Sequence, residues 1–125
     1  MGTGDDVITG GAGVNTLIGG TGNDTFKFAS VNAASGVDLT AADTVNGTSG
    51  TADTIEITAA DTTIADTDFA GVSYIDVLKL TGASTITAWA GGTTDGIATV
   101  VTGNDVTSIT STGGDRCQAN CRFLN

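Results

Sequence analysis

The sequence predicts an all-β fold in which short parallel strands wind into a solenoid. Three observations predict it: a nine-residue repeat near the N-terminus, an acidic set of 13 Asp and one Glu, and a content of 24 Thr and 19 Gly with no Pro. Asp favours turns and oxygen-rich metal loops, Thr favours strands, and Gly interrupts the interiors of helices and strands. We therefore expect many short strands joined by Gly- and Asp-containing turns within 125 residues.

The repeat becomes visible when residues 1–27 are written as three rows of nine. Glycine recurs at the second and fourth positions, Asp or Asn at the sixth, and a large apolar residue at the eighth. These four columns are Gly2/Gly11/Gly20, Gly4/Gly13/Gly22, Asp6/Asn15/Asp24 and Ile8/Leu17/Phe26. Glycines spaced by two permit positive φ values, so the first six residues of a row can form a tight turn. The last three then form a short strand whose apolar side chain points into the core.

Two rows complete one coil of about 18 residues, so the first and third rows stack on the same edge of the solenoid. Stacked parallel strands lie about 4.8 Å apart and calcium–oxygen bonds measure about 2.3–2.6 Å, so one Ca²⁺ fits between two stacked turns. The expected ligands are the carboxylates and backbone carbonyls of these two turns: Asp6, Asp24, Thr3, Gly4, Gly20 and Gly22. The second row lies on the other edge, where the neutral side chain of Asn15 predicts a weaker site.

Beyond residue 28 the repeat loses its register, but apolar residues continue at intervals of 8 to 11 residues. The ladder consists of Ile8, Leu17, Phe26, Val37, Val45, Ile55, Ile64, Ile75, Ile86, Ile97 and Val106. The predicted strands are Thr54–Thr58, Val72–Leu80, Thr85–Trp89, Ile97–Val101 and Val106–Thr110. This spacing favours a continued β-solenoid, and the alternative is a short repeat region joined to a small β-sandwich.

Three later segments resemble the turn part of the repeat. Residues 46–55 match the nonapeptide with one inserted residue, residues 102–106 match residues 21–25, and residues 91–95 match more loosely. Each segment is also an ordinary Gly/Asn/Asp turn sequence. These segments favour continuation of the solenoid without establishing further metal sites.

We divide the sequence into a repeat region at residues 1–28, a solenoid-like β region at 29–112 and an atypical tail at 113–125. The tail holds both cysteines, Cys117 and Cys121, and half of the basic residues. Two cysteines without any His are too few for a zinc site. A native tail with a local disulfide and a tail that replaces a further repeat both fit the sequence.

Composition and charge exclude several classes of function. A formal net charge of −10 opposes binding to nucleic acid and to anionic membrane surfaces, which require Lys and Arg. No apolar run approaches the roughly 18–20 residues of a transmembrane helix. The absence of His removes imidazole zinc sites and histidine-based catalysis. We therefore do not expect this chain to be an enzyme.

The three rows resemble the RTX (repeat-in-toxin) nonapeptide G-G-x-G-x-D-x-U-x, where U is a large apolar residue. The resemblance implies a parallel β-roll with Ca²⁺ in its turns, folding on contact with extracellular calcium, and export by type I secretion. The rest of the chain resembles, less specifically, bacterial surface-layer proteins and calcium-dependent adhesins. Because Met1 occupies a glycine position of the repeat, we expect the chain to begin within a longer array.

Two functions follow as expectations. The first is a calcium-folded, self-assembling structural module of a bacterial surface layer, filament or adhesin, secreted or held at the cell surface. The alternative is the calcium-binding folding and secretion domain of an exported RTX enzyme or toxin. The expected partners are identical subunits or flanking repeats, joined end to end. Carbohydrate binding through Trp89 or Tyr74 has no support beyond the presence of these aromatic residues, and ice binding lacks regular ranks of Thr.

Overall fold

The computed structural model describes residues 1–31, 38–59, 62–64, 66–81, 84–89, 99–102, 108–111 and 123–124. These residues form twelve strands and one short 3-10 helix. The strands are β1 (Val7–Thr9), β2 (Thr16–Thr21), β3 (Thr25–Phe28), β4 (Thr44–Ser49), β5 (Thr54–Ile57), β6 (Thr62–Ile64), β7 (Val72–Ser73), β8 (Val77–Leu80), β9 (Ser84–Trp89), β10 (Thr99–Thr102), β11 (Ser108–Ser111) and β12 (Phe123–Leu124), and the 3-10 helix is Asp66–Phe69. Within the described part, no helix is long and apolar enough to cross a membrane.

The strands form three sheets. The large sheet has the order β1-β3-β5-β8-β10-β12, and two smaller sheets have the orders β2-β4-β7 and β6-β9-β11. All strand pairs among the described residues are parallel, and each strand pairs with the equivalent strand one coil away. Parallel pairing of non-consecutive strands is the pattern of a solenoid, whereas a small sandwich is built from antiparallel strands. The predicted all-β, parallel β-roll or β-solenoid fold is confirmed.

The coils of the large sheet differ in length. The register pairs Ile8 with Phe26, Phe26 with Ile55, Ile55 with Leu78 and Leu78 with Val100, so successive coils contain 18, 29, 23 and 22 residues. The first coil therefore has the length that the nonapeptide predicts. The later coils are longer because loops and, in one coil, an additional strand are inserted between strands of the large sheet.

The smaller sheet that alternates with the large sheet changes partway along the chain. From β1 to β5 the chain alternates between the large sheet and the sheet β2-β4-β7. The coil after β5 passes through β6, the 3-10 helix and β7 before it returns to the large sheet at β8. From β8 onward the chain alternates between the large sheet and the sheet β6-β9-β11. The repeat region thus lies at the end where the second face is the sheet β2-β4-β7.

Most of the predicted apolar ladder lies in strands. Its members in strands are Ile8, Leu17, Phe26, Val45, Ile55, Ile64 and Ile86, whereas Val37, Ile97 and Val106 lie outside the described residues. Ile64 and Ile86 pair one coil apart in β6 and β9, so two intervals of the ladder make up one coil there. Ile75 is buried but lies between two strands.

One predicted strand is wrong in its extent. The segment Val72–Leu80 forms two strands, β7 and β8, that belong to different sheets. Tyr74 between them adopts a φ of 55°, which turns the chain from one face of the solenoid to the other. The other four predicted strands overlap β5, β9, β10 and β11.

The division into three regions stays a prediction. Strands of the large sheet continue past residue 28, and β12 in the tail pairs with β10. Cys117 and Cys121 lie outside the described residues, as do the turn-like segment 91–95 and most of 102–106.

The core is one cluster of apolar side chains that stack on each other inside the coils. Its fully or almost fully buried members are Phe26, Phe28, Val31, Leu39, Val45, Ile55, Ile57, Phe69, Val72, Ile75, Leu78 and Leu80. Ile8 and Leu17 pack against this cluster but are only partly buried, because β1 and β2 are the outermost strands of their sheets. The core therefore becomes thinner towards the repeat region.

A row of three charged side chains crosses the large sheet. Lys27, Glu56 and Lys79 occupy equivalent positions in β3, β5 and β8. The Glu56 carboxylate lies 3.3 Å from Lys27 Nζ and 3.1 Å from Lys79 Nζ. Burial alone would raise the pKa of Glu56, but hydrogen bonds and charge from the two lysines outweigh it, so the pKa is lowered. The row therefore joins three coils through alternating charges.

Glu56→Gln should lower the free energy of unfolding by about 1 kcal/mol at neutral pH, because two half-exposed lysines lose their shared carboxylate. Since the folded-state pKa of Glu56 is lowered, its contribution is present above the unfolded pKa of about 4.3 and is lost as the pH falls through the folded value. Denaturant titrations at saturating calcium should show a difference between wild type and variant that is constant above about pH 5 and shrinks below about pH 4.

Lys79→Met is the control, because Glu56 then keeps Lys27 and the loss should be smaller. A difference between wild type and Glu56→Gln that does not change with pH, over the range in which both proteins fold, would contradict the assignment.

Candidate metal centre

Four aspartates are stacked at the N-terminal ends of the large-sheet strands. Asp6, Asp24, Asp53 and Asp76 immediately precede β1, β3, β5 and β8, which pair in register. Each later carboxylate accepts a hydrogen bond from the backbone N–H of the aspartate one coil earlier. The distances are 2.9 Å from Asp6 N to Asp24 Oδ1, 2.8 Å from Asp24 N to Asp53 Oδ1 and 2.9 Å from Asp53 N to Asp76 Oδ2. We call these four residues the aspartate ladder.

The ladder lacks positive charge. Asp24 is completely buried, and its Oδ2 atom has no hydrogen-bond partner among the described residues. Burial raises the pKa of Asp53, and the charges of neighbouring aspartates act in the same direction. The two lysines of the described part both bind Glu56 instead. A buried carboxylate oxygen with no donor is costly, so this edge of the solenoid favours a bound cation.

Glycines bring the first two turns of this edge into close contact. Gly4, Gly20 and Gly22 have φ values of 108°, 125° and 121°, which side chains rarely adopt. A Cβ atom on Gly20 would strike the carbonyl oxygen of Gly2, and one on Gly22 would strike that of Gly4. The turn carbonyls of one coil therefore lie against the bare α-carbons of the next. This arrangement supplies the backbone oxygens that calcium prefers as ligands.

The structure brings the two predicted half-sites together. The turn with Thr3, Gly4 and Asp6 stacks on the turn with Gly20, Gly22 and Asp24, and Thr3 forms an isolated parallel bridge with Thr21. The hydrogen bonds Gly4 N to Thr21 O (2.7 Å) and Thr21 N to Gly2 O (3.1 Å) hold the pair. The assignment of individual ligands stays a prediction.

The predicted ligand set omits three acidic residues near this stack, one of which, Asp76, ends the ladder. Asp5 accepts a hydrogen bond from the backbone N–H of Asn23 at 2.8 Å, so it links the first two turns. Asp53 is a full member of the aspartate ladder and is 1% exposed. The sequence does indicate Asp53, because this residue occupies the aspartate position in segment 46–55, the copy of the repeat with one inserted residue.

Asn15 on the opposite edge has a different environment. Its Nδ2 group donates to the carbonyls of Gly11 at 2.7 Å and Gly13 at 2.9 Å, and lies 3.2 Å from Asp43 Oδ1. Asp43 also accepts from the Asn15 N–H at 2.7 Å and from the backbone and hydroxyl of Thr40. Burial opposes ionisation of Asp43, yet these hydrogen bonds leave its pKa lowered. The amide of Asn15 thus supplies donors to carbonyls that would otherwise face a cation.

The ladder edge does not form a side-chain cage. Among the residues that the structure describes, no group of three or more His, Cys, Asp or Glu side chains converges on one point. Each coil instead offers one ladder carboxylate together with turn carbonyls. The unpartnered Asp24 oxygen and the turn carbonyls that the glycines bring close together both fit a calcium ion held between coils.

A parallel solenoid with stacked Gly- and Asp-containing turns defines the class of calcium-binding β-rolls. Residues 2–26 match the family model described as the RTX calcium-binding nonapeptide repeat, in four copies. These residues are therefore RTX repeats, and Ca²⁺ is the ion that such repeats bind. All seven predicted ligands lie within the matched segment. No curated protein and no solved structure matches the chain.

Asp24→Ala should weaken calcium binding by about tenfold or more, because it removes a charged, buried oxygen ligand. Asn15→Ala removes only a neutral side chain that already donates to its own turn, and should weaken binding by less than about threefold. Isothermal titration calorimetry on both variants and the wild type measures the two losses. Equal losses would contradict the stacking of Asp6 with Asp24 as the principal site.

Proposed function

We propose that this protein is a calcium-folded structural module that acts outside the cell and assembles end to end in a surface layer, filament or adhesin. The observation that carries the proposal is the position of the calcium-binding repeats at an open edge of a parallel solenoid. RTX repeat proteins are typically secreted, which agrees with an extracellular location. The argument has two steps, one for folding and one for assembly.

The first step concerns the cost of folding without calcium. Residues 1–24 stack two acidic turns whose carboxylates, Asp5, Asp6 and Asp24, have no lysine or arginine close by in the described part. The apolar core is thin at this end, since Ile8 and Leu17 are only partly buried. Burial there offsets little of the repulsion, so binding of Ca²⁺ contributes free energy that folding of the turns requires.

The second step concerns the open edge. β1 and β2 are the first strands of their sheets, and no described strand pairs with their outer sides. Val7, Val14 and Ile18 at this end are 64%, 77% and 49% exposed. An unpaired parallel edge with exposed apolar side chains is a template for pairing with further strands. Another copy of the chain, or further repeats, would continue the coil without a change of geometry.

Folding and calcium should be coupled. Far-ultraviolet circular dichroism in excess chelator should show a loss of β structure, which addition of calcium at about 10⁻⁴–10⁻³ M restores. Magnesium at the same concentration is the control and should restore less, because its octahedral shell of about 2.1 Å bonds fits a gap of stacked carbonyls poorly. A spectrum that chelator leaves unchanged would contradict the coupling.

Assembly should depend on both calcium and the open edge. Static light scattering at millimolar calcium should show association of the wild type, and the double variant Val7→Lys, Ile18→Lys should stay monomeric because two charges cover the edge. Ala42→Lys, at an exposed turn residue before β4, is the matched control and should associate. A wild type that folds but remains monomeric at high concentration would favour the alternative, the folding and secretion domain of an exported RTX protein.

A further inference from the structure

We propose that a further Ca²⁺ binds outside the matched repeat, between the turn of residues 19–24 and the turn of residues 47–53, bridged by the carboxylates of Asp24 and Asp53. The family match ends at residue 26, so it does not assign a site to the second of these turns. The proposal uses the calcium chemistry of the repeats and is independent of whether the protein assembles.

The turn of residues 47–53 stacks directly on the turn of residues 19–24. In the pairing of β2 with β4, Gly20 lies beside Thr48 and Thr21 beside Ser49, so Gly19-Gly20-Thr21-Gly22 underlies Gly47-Thr48-Ser49-Gly50. The upper turn has one additional residue before its aspartate. Asn23 accommodates it, because its Oδ1 accepts from the N–H groups of Thr51 at 3.0 Å and Ala52 at 3.2 Å.

The upper turn keeps the backbone shape of the repeat without its full glycine pattern. Thr48 adopts a φ of 75° at the position where Gly20 below it has 125°. A threonine in this region is unfavourable, and the stacked neighbours hold it there. Thr48 therefore has the positive φ of the repeat turn although it is not a glycine.

The close approach of a carbonyl oxygen to a glycine recurs in the upper turn. A Cβ atom on Gly22 would meet the Gly4 carbonyl oxygen, and one on Gly50 would meet the Gly22 carbonyl oxygen in the same way. The Gly50 position also lies 2.8 Å from both carboxylate oxygens of Asp53. One carbonyl oxygen and one carboxylate thus lie against the bare α-carbon of Gly50, so the upper turn holds both kinds of oxygen ligand that calcium prefers.

A carboxylate oxygen without a hydrogen-bond partner lies in the lower of these two stacked turns. Asp24 Oδ2, which is buried and has no partner among the described residues, lies against Gly19, and Asp53 Oδ2 lies in the equivalent place against Gly47, 2.6 Å from its Cβ position. Equivalent atoms in stacked coils are about 4.8 Å apart, which is twice a calcium–oxygen bond of about 2.3–2.6 Å. A Ca²⁺ ion placed between the two oxygens would bind both and remove the repulsion between them.

The stack of glycine-containing turns ends one coil further on. Only residues 74–76 separate β7 from β8, so Asp76 belongs to no glycine turn. Its carboxylate accepts the hydrogen bond from the Asp53 N–H at 2.9 Å and closes the ladder. The arrangement predicts calcium in the gap between Asp24 and Asp53 and none between Asp53 and Asp76.

Counting bound ions tests the proposal. Native mass spectrometry of the wild type and of Asp53→Asn at saturating calcium should show one ion fewer in the variant, with the other ions retained. Gly50→Ala changes no charge, but its Cβ atom would collide with the Gly22 carbonyl oxygen and the Asp53 carboxylate and displace them, so it should also lose one ion. Asp76→Asn makes the same charge change as Asp53→Asn one step along the ladder and should keep the full number. An unchanged ion count in Asp53→Asn would overturn the proposal.

A measurement on the wild type removes dependence on the folding of any variant. A crystal grown in calcium should give an anomalous-scattering peak between the carboxylates of Asp24 and Asp53. A gap without a peak, in a crystal whose Asp6 and Asp24 turns hold calcium, would overturn the further site while leaving the repeat assignment intact.

Discussion

Parallel stacking in register, at about 4.8 Å per coil, places each paired strand residue of this solenoid on its equivalent in the next coil. Apolar pairs such as Phe26 and Ile55 gain from this arrangement, because both bury surface in one core. Glycine pairs permit close contact between turns. Aspartate pairs are the exception, since two full charges at this distance repel by about 3 kcal/mol at an effective dielectric constant of about 20. The stability of the repeat end depends on how this repulsion is neutralised.

The structure neutralises stacked charge in different ways at different places. Across the large sheet, Lys27, Glu56 and Lys79 alternate in sign, so the neutralising charges belong to the chain itself. At the Asn15 edge, an amide and several N–H groups satisfy the single carboxylate of Asp43. The aspartate ladder has N–H donors for one oxygen of each carboxylate above Asp6 but no cation of its own. Within the part of the chain that the structure describes, the ladder is therefore the stack of charge that a cation from the surrounding solution would neutralise.

The sequence predicts those parts of the structure that repeat at a constant interval. The 18-residue first coil and the stacking of Asp6 on Asp24 follow from the nonapeptide, because equal spacing brings equal positions together. The 29-residue second coil and the exchange of the second face do not follow. They depend on where inserted segments leave and rejoin the sheets, and on one turn residue, Tyr74, that separates two apparently continuous strand sequences. Asp53 was overlooked for the same reason, since one inserted residue moves it out of the nonapeptide register.

The ladder also lies next to β1, the outermost described strand of the large sheet. Asp6 immediately precedes β1, a strand of three residues with a single neighbour, β3. Such a short outer strand gains little from hydrogen bonding alone, and its Ile8 is only partly buried. The turn that ends at Asp6 must therefore be ordered before β1 can present a formed edge. Since a calcium ion between Asp6 and Asp24 would neutralise the charge of that turn, the same ion would also favour the ordering of β1, the outermost described strand of the large sheet.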